Sequence, residues 1–412
     1  MLLYIDPGTG SMLFTILIGI LGAAIYAFRG IWMKLKFLIQ GGNVKVDENR
    51  IPFVIFTDSK RYYTIFKPIC DEMEKRGQNI LYLTAEKNDP LLEEEYEYVR
   101  TEFAGEGNRA FARMNMLKAD IVLSSTPGLD VYQWKRSRDV KNYIHVLHAP
   151  NVIYYRMFGV DYYDTLMLAG KYQIQQIREL ENLRNLPEKE IVISGLPHMD
   201  ALLERRQQSE QKTKSHTTVL IAPTWGPNGL FAKFGDKIIR KLLETEYQII
   251  IRPHPQSFTS EKEMMDDLLA KFPESDRLHW DRSTDNFDTL NQSDILISDY
   301  SGVIFDFTLV FEKPVIYSGS SPDFGIFDAW WLENSRSLTF DVLESIGLQL
   351  NDDNIDHIDT MINQCLTDET FKDRLAKEKN KIWGNEGNAV QTIVDYMIEK
   401  REKLLSAEQN AA

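Results

Sequence analysis

The sequence predicts an α/β protein built from two Rossmann-like domains facing a cleft and preceded by one N-terminal transmembrane helix. Three observations lead there. From Pro52 onward, short apolar runs alternate with helical stretches. A polar segment at 206–217 divides this alternation into two series. Near the N-terminus stands one uncharged stretch of about 18 residues, close to the length that crosses a bilayer as a helix.

That stretch, Ser11–Phe28 (SMLFTILIGILGAAIYAF), is followed at once by Arg29, Lys34 and Lys36, whereas only Asp6 precedes it. Basic residues favour the cytoplasmic side, so the N-terminus is expected outside and the rest of the chain in the cytoplasm of a bacterial-type cell. A cleaved signal peptide would carry its basic residues before the apolar core, not after it. Residues 1–40 therefore read as a membrane anchor, and 41–50 (GGNVKVDENR), polar with a glycine pair, as a linker.

The first series of strand candidates is 52–58, 79–85, 120–126, 143–149, 164–170 and 190–195. Most are continuous apolar runs, as expected of parallel strands covered on both faces. Thr64–Arg76 reads as a helix, with Ile65, Ile69 and Met73 on one face. The second series is 218–224, 248–254, 277–280, 294–300 and 314–318. Residues after about 355 read as helices, and Ser406–Ala412 as a frayed tail. The expected bounds are 51–205 for an acceptor-side domain, 206–217 for a linker, 218–400 for a nucleotide-binding domain with C-terminal helices, and 401–412 for the tail.

Composition excludes several classes. Of 412 residues, 43% are hydrophobic and 11% aromatic, ample for two cores. The formal charge of −14 argues against a nucleic-acid binder. The two cysteines, Cys70 and Cys365, form neither a disulfide framework nor a zinc knuckle. No P-loop, zincin, EF-hand, GxGxxG or GxSxG pattern occurs. No metal ligand set is indicated, and no cofactor is required; a divalent cation is compatible but not called for.

Ligands of open α/β sheets bind beyond the carboxyl ends of strands. Those positions hold Asp58, Ser124–Thr126, His148, Gly170, Gly195, Thr224, His254 and Ser298–Ser301. Ser298, Asp299, Ser301 and Gly302 stand between a strand and an apolar helix, where hydroxyls and free N–H groups form a phosphate site. In Arg252-Pro253-His254-Pro255, prolines stiffen the backbone around a guanidinium suited to phosphate and an imidazole able to donate to a leaving group. His148 ends its strand and can serve as general base on an acceptor hydroxyl. His145, three residues earlier, faces the other side of the strand and reads as structural. Thr224, in APTWG, fits a loop over a diphosphate. His198, in GLPHMD near the hinge, reads as structural.

The block DTLNQSDILISDYSGVIFDFTLVFEKPVIYS (288–318) resembles the signature of the CDP-glycerol glycerophosphotransferases, the family of teichoic acid primases and polymerases. APTW (222–225), RPHP (252–255) and GLPHMD (195–200) occur in the family's order. The resemblance covers most of 120–400. It implies a GT-B-like fold whose second domain holds a CDP-alcohol donor while the first presents the acceptor, a membrane lipid-linked one. It implies His254 on the donor pyrophosphate, His148 as the base, and Thr224, Arg252, Ser298, Asp299 and Ser301 around the donor phosphates and ribose. The chain departs from the family where Trp-His-Gly-Thr-Pro is usual, carrying Leu147-His148-Ala149-Pro150-Asn151, and where many members have Arg in place of His198. The expected reaction is transfer of glycerophosphate, or another polyol phosphate, with release of CMP. The alternatives are a nucleotide-sugar glycosyltransferase, a UDP-sugar 2-epimerase, or a non-catalytic membrane-bound member of the same fold.

Overall fold

A computed structural model describes residues 50–131, 133–150, 158–209, 215–283, 285–320 and 338–411. The expected membrane helix at 11–28 lies outside them. Among the described residues, no helix is long and apolar enough to cross a membrane.

The first sheet contains β1 (Ile51–Thr57), β2 (Ile80–Thr84), β3 (Val99–Phe103), β4 (Ala119–Ser124), β5 (Val140–Val146), β6 (Thr165–Leu168) and β7 (Glu190–Ile193), in the order β3-β2-β1-β4-β5-β6-β7. The second contains β8 (Thr218–Ile221), β9 (Gln248–Ile251), β10 (Leu278–Trp280), β11 (Ile295–Ser298), β12 (Val315–Ser318) and β13 (Gly347–Leu350), in the order β10-β9-β8-β11-β12-β13. Every ladder in both sheets is parallel. All carboxyl ends of a sheet therefore open on one edge, and the order reverses between β1 and β4 in the first sheet and between β8 and β11 in the second.

The longer helices are α1 (Tyr63–Lys75), α2 (Asn108–Asn115), α3 (Tyr172–Arg184), α4 (Pro197–Gln208), α5 (Lys262–Lys271), α6 (Leu338–Ile346), α7 (Ile358–Leu366), α8 (Phe371–Ile382) and α9 (Ala389–Ala411). Strand alternation feeds two cores per sheet. On the first sheet, Phe53 and Ile55 pack with Ile65, Ile69 and Met73 of α1. Val54 and Phe56 face the other way, toward Met114 of α2 and Ile177 of α3. Burial on both faces is why these strands are continuous apolar runs. The two strands the sequence concealed, β3 and β13, lie at sheet edges. There Val99–Phe103 (VRTEF) and Gly347–Leu350 (GLQL) mix polar with apolar residues because one side meets solvent.

Two helices exchange sides relative to the expected bounds. Helix α4, assigned to the first half, buries Met199 and Leu202 in the core that backs the second sheet, with Leu220, Ile304 and Phe305. It also touches α1 of the first half. Helix α9, expected to stay with the second half, instead packs Ile393, Val394 and Met397 against the first sheet beside Phe53 and Ile144. Its end is not the frayed tail expected from Ser406, for it is helical to Ala411 and tied down by Lys141–Glu408, 2.6 Å, and Arg401–Asp120, 2.8 Å.

Candidate active site

Asp299 organises the second sheet's edge. Its fully buried carboxylate accepts from Thr224 N at 3.0 and 3.1 Å, Leu230 N at 2.9 Å and Ser301 N at 3.1 Å. One side chain thus joins the loop after β8 to the turn after β11, across the point where the strand order reverses. Burial raises its pKa to about 6, opposed by those N–H groups. The carboxylate is committed to the loop backbone. The Ser298 hydroxyl is likewise committed, donating to Ala222 O at 2.6 Å. Thr224, Ser301 and Gly302 are half-buried around this frame. Gly302 precedes a short helical turn, Val303–Phe305, that runs into a π-helical turn over Asp306–Val310. Such turns are rare and concentrate at functional sites.

His254 stands after β9, the strand next to β8, and is exposed. Gln256 N donates to its Nδ1 at 3.1 Å. The neutral ring therefore carries its proton on Nε2 and can donate outward from there. Desolvation lowers its pKa, and Glu261 acts in the opposite direction. Glu261 was not singled out from the sequence, where it lies in a polar run. Its Oε1 accepts from Gly226 N at 3.0 Å, and its Oε2 is buried without a hydrogen-bond partner. It thus ties the APTWG loop to the neighbourhood of His254. Arg252 is less available than its motif implies. Its guanidinium pairs with Asp281 and binds Ser283 Oγ at 3.1 Å and Ser283 O at 2.8 Å. Asp281, despite burial, is held at a pKa of about 2 by Ser283, Thr289 and Arg252.

On the first sheet, His148 follows β5 and is half-buried. Burial first, then Arg61 and His198, lowers its pKa to about 4. The ring lies 5.3 Å from that of Tyr62, over which Arg61 stacks at 4.7 Å. Arg61 and Tyr62 follow β1 closely, and the signal for them was the strand-end position already noted at Asp58. His145 is fully buried, 4.8 Å from the Tyr163 ring, with its pKa lowered to about 3 by burial. Asp58 and Thr126 join the ends of β1 and β4, with Thr126 Oγ1 donating to Asp58 Oδ1 at 3.0 Å. Gly170 and Gly195 receive no side chain of the site. They seat the segment leading from α8 to α9: a Cβ on Gly170 would lie 2.4 Å from Ile382 O, and one on Gly195 2.3 Å from Gly384 O.

His198 stands at the first turn of α4. Its Nε2 is 3.2 Å from Asp306 Oδ1, in the helical segment after Gly302. An open pocket of about 460 Å³ lined by Lys241, Tyr247, Asp356 and Asp359 lies by the amino end of β9, the opposite end of that strand from His254. Among the described residues, no group of three or more acidic, His or Cys side chains converges as a metal site would require.

Two doubly wound parallel sheets, each with polar side chains gathered at its reversal point, define an α/β protein of the GT-B-like type. The chain belongs to the CDP-Glycerol:Poly(glycerophosphate) glycerophosphotransferase family, whose model matches residues 42–399. A teichoic acid glycerol-phosphate primase of Bacillus spizizenii is 30% identical over 135 residues, 30% of this chain and 32% of that protein. The match thus spans about a third of the length of that curated relative. A solved wall teichoic acid polymerase, TagF, superimposes with a TM-score of 0.58 at 15% identity, over 92% of this chain and 98% of the other. A UDP-GlcNAc 2-epimerase from Neisseria meningitidis, solved with UDP-GlcNAc, does so with 0.54 at 13% identity, over 85% and 100%. At such identities these two likenesses speak for the fold.

Proposed function

We propose that the chain transfers glycerophosphate, or another polyol phosphate, from a CDP-alcohol to a hydroxyl of a membrane-linked cell-wall acceptor. The observation that carries this reading is the frame Asp299 builds at the reversal point of the second sheet, with His254 one strand away. Family membership supports the choice of a CDP-alcohol, and the Bacillus spizizenii primase supports a teichoic-acid type of acceptor. The acceptor oxygen attacks the β-phosphorus, forming a new O–P bond. The bridging P–O bond breaks, and its electron pair leaves on CMP. The acceptor proton passes to His148, which burial keeps neutral and able to accept it. His254 donates from Nε2 to the departing phosphate. Thr224, Ser301 and the Gly302 backbone face the diphosphate, while Asp299, Ser298 and Arg252 act by holding the loops. Positioning and electrostatics supply most of the acceleration in such transfers. The uncharged 11–28 stretch and its flanking Arg29, Lys34 and Lys36 support a membrane anchor with the catalytic part in the cytoplasm.

Purified protein offered CDP-glycerol, CDP-ribitol and UDP-sugars should release CMP from one of the first two. Release of UDP alone would favour the nucleotide-sugar reading instead. His254→Ala should lower CMP release by on the order of 10²–10⁴-fold, the usual worth of a positioned proton donor. Its thermal unfolding should match the parent's, and undiminished turnover would remove His254 from the mechanism.

A further inference from the structure

We propose that Arg61 is an acceptor-binding residue: carried over the Tyr62 ring beside His148, its guanidinium takes a phosphate group that adjoins the attacking hydroxyl. This deepens the proposed function and rests on its reading of His148 as the base. After β1 the chain turns through Lys60–Tyr62, where Arg61 N donates to Ser59 Oγ at 3.4 Å. Tyr62 is buried, and its ring centroid lies 5.3 Å from that of His148. The Arg61 guanidinium stands 4.7 Å from the centroid of the same ring. One fixed ring therefore sets a cation and an imidazole near each other. They stand at the carboxyl edge of the first sheet, by the reversal between β1 and β4, where ligands of such sheets bind.

Arg61 is exposed, and among the described residues no carboxylate pairs with it. By contrast, Arg76, Arg113, Arg136, Arg178, Arg184 and Arg401 each form an ion pair. Asp58, at the end of the same strand, accepts from Thr126 Oγ1 at 3.0 Å instead. A guanidinium stays charged, and its planar fork fits phosphate oxygens. Resting on an aromatic face orders it beforehand, so less side-chain freedom is lost when an anion binds. The reaction supplies such an anion. Transfer of a polyol phosphate makes a phosphodiester, so the product ends in a polyol whose free hydroxyl lies a few bonds from a phosphate. With that hydroxyl at His148, the phosphate falls within reach of the cation that Tyr62 supports. The acceptor class that fits is a chain already ending in polyol phosphate.

The test is calorimetry on the full chain with the donor site filled by CDP and glycerol phosphate as the probe of the acceptor end. The parent should bind glycerol phosphate more tightly than glycerol. Arg61→Gln should weaken that binding about tenfold or more, the usual worth of a hydrogen bond to a charged group. Arg61→Lys, which keeps the charge without the fork, should fall between. Lys60→Gln removes the neighbouring exposed charge and should leave binding within about twofold, because solvent screens it. CDP affinity and thermal unfolding should match the parent's in all three variants. In turnover, Arg61→Gln should raise KM for a polyol-phosphate-ended acceptor more than it lowers kcat. Parent-like binding by Arg61→Gln, an equal loss in Lys60→Gln, or no binding by the parent would each overturn the proposal. A parent that binds no CDP, or full activity of His148→Ala, would instead overturn the proposed function, so the two failures are read separately.

Discussion

At the residue scale, the site is built by side chains that serve other side chains and the backbone. Asp299, Ser298 and Arg252 were all expected to face the donor, and each has polar atoms bonded within the protein. Residue type was legible in the sequence because strand-end position and phosphate chemistry select Ser, Asp and Arg. Orientation was not, because it depends on which loops meet across the sheet. Asp299→Asn makes the point measurable. Both carboxylate oxygens face N–H donors, so an amide must turn its NH₂ toward one set. Urea unfolding should show a loss of about 1–3 kcal/mol for the mispaired buried groups. Calorimetry should show CDP binding weakened at least severalfold, and unchanged values in both measurements would contradict the organising role. Glu261 was invisible for a related reason: a glutamate in a polar helical run is ordinarily solvated, and only the approach of Gly226 gives it a role.

At the element scale, parallel strands buried on both faces made themselves known as apolar runs, and α1 by the spacing of Ile65, Ile69 and Met73. Edge strands β3 and β13 escaped because half-exposed strands alternate and blend with loops. The glycines after β6 and β7 looked like ligand positions and are packing positions. Gly170 and Gly195 admit the 381–384 backbone between strand ends, the latter at φ +78°. Gly384 N donates to Ala169 O at 2.7 Å, which closes that approach. Gly170→Ala would place a methyl 2.4 Å from Ile382 O. Thermal unfolding should fall by an amount equivalent to about 1–3 kcal/mol, the usual cost of overpacking. A neutral outcome would show that the crossing segment yields freely.

At the scale of the whole molecule, the chain crosses over twice. Helix α4 lends its apolar face to the second sheet, and α9 returns to the first. Asp200 of α4 fastens the two crossings together, accepting from Gly387 N at 2.9 Å and Ala389 N at 2.8 Å. Burial raises the Asp200 pKa to about 6, partly offset by those N–H bonds. Because α9 covers Phe53 and Ile144, Val394→Asp should destabilise the first sheet although the substitution lies near the C-terminus. Burying an unpaired carboxylate there costs several kcal/mol. Limited proteolysis should then cut within 50–190 before it cuts within 215–320. An unaltered cleavage pattern would mean that α9 is dispensable to the first sheet.

The sequence by itself determined the α/β, GT-B-like class and most strands of the two series, and it placed His148 and His254 just after strands. These follow from local periodicity, strand-end position and side-chain chemistry. Tertiary structure alone decided that α4 and α9 trade sides, that Asp299 holds the loop after β8 to the turn after β11, and that His198 meets Asp306. Those outcomes depend on contacts between residues distant in sequence, 69 and 75 positions apart at Asp299 and 108 at His198, whose partners no local pattern records.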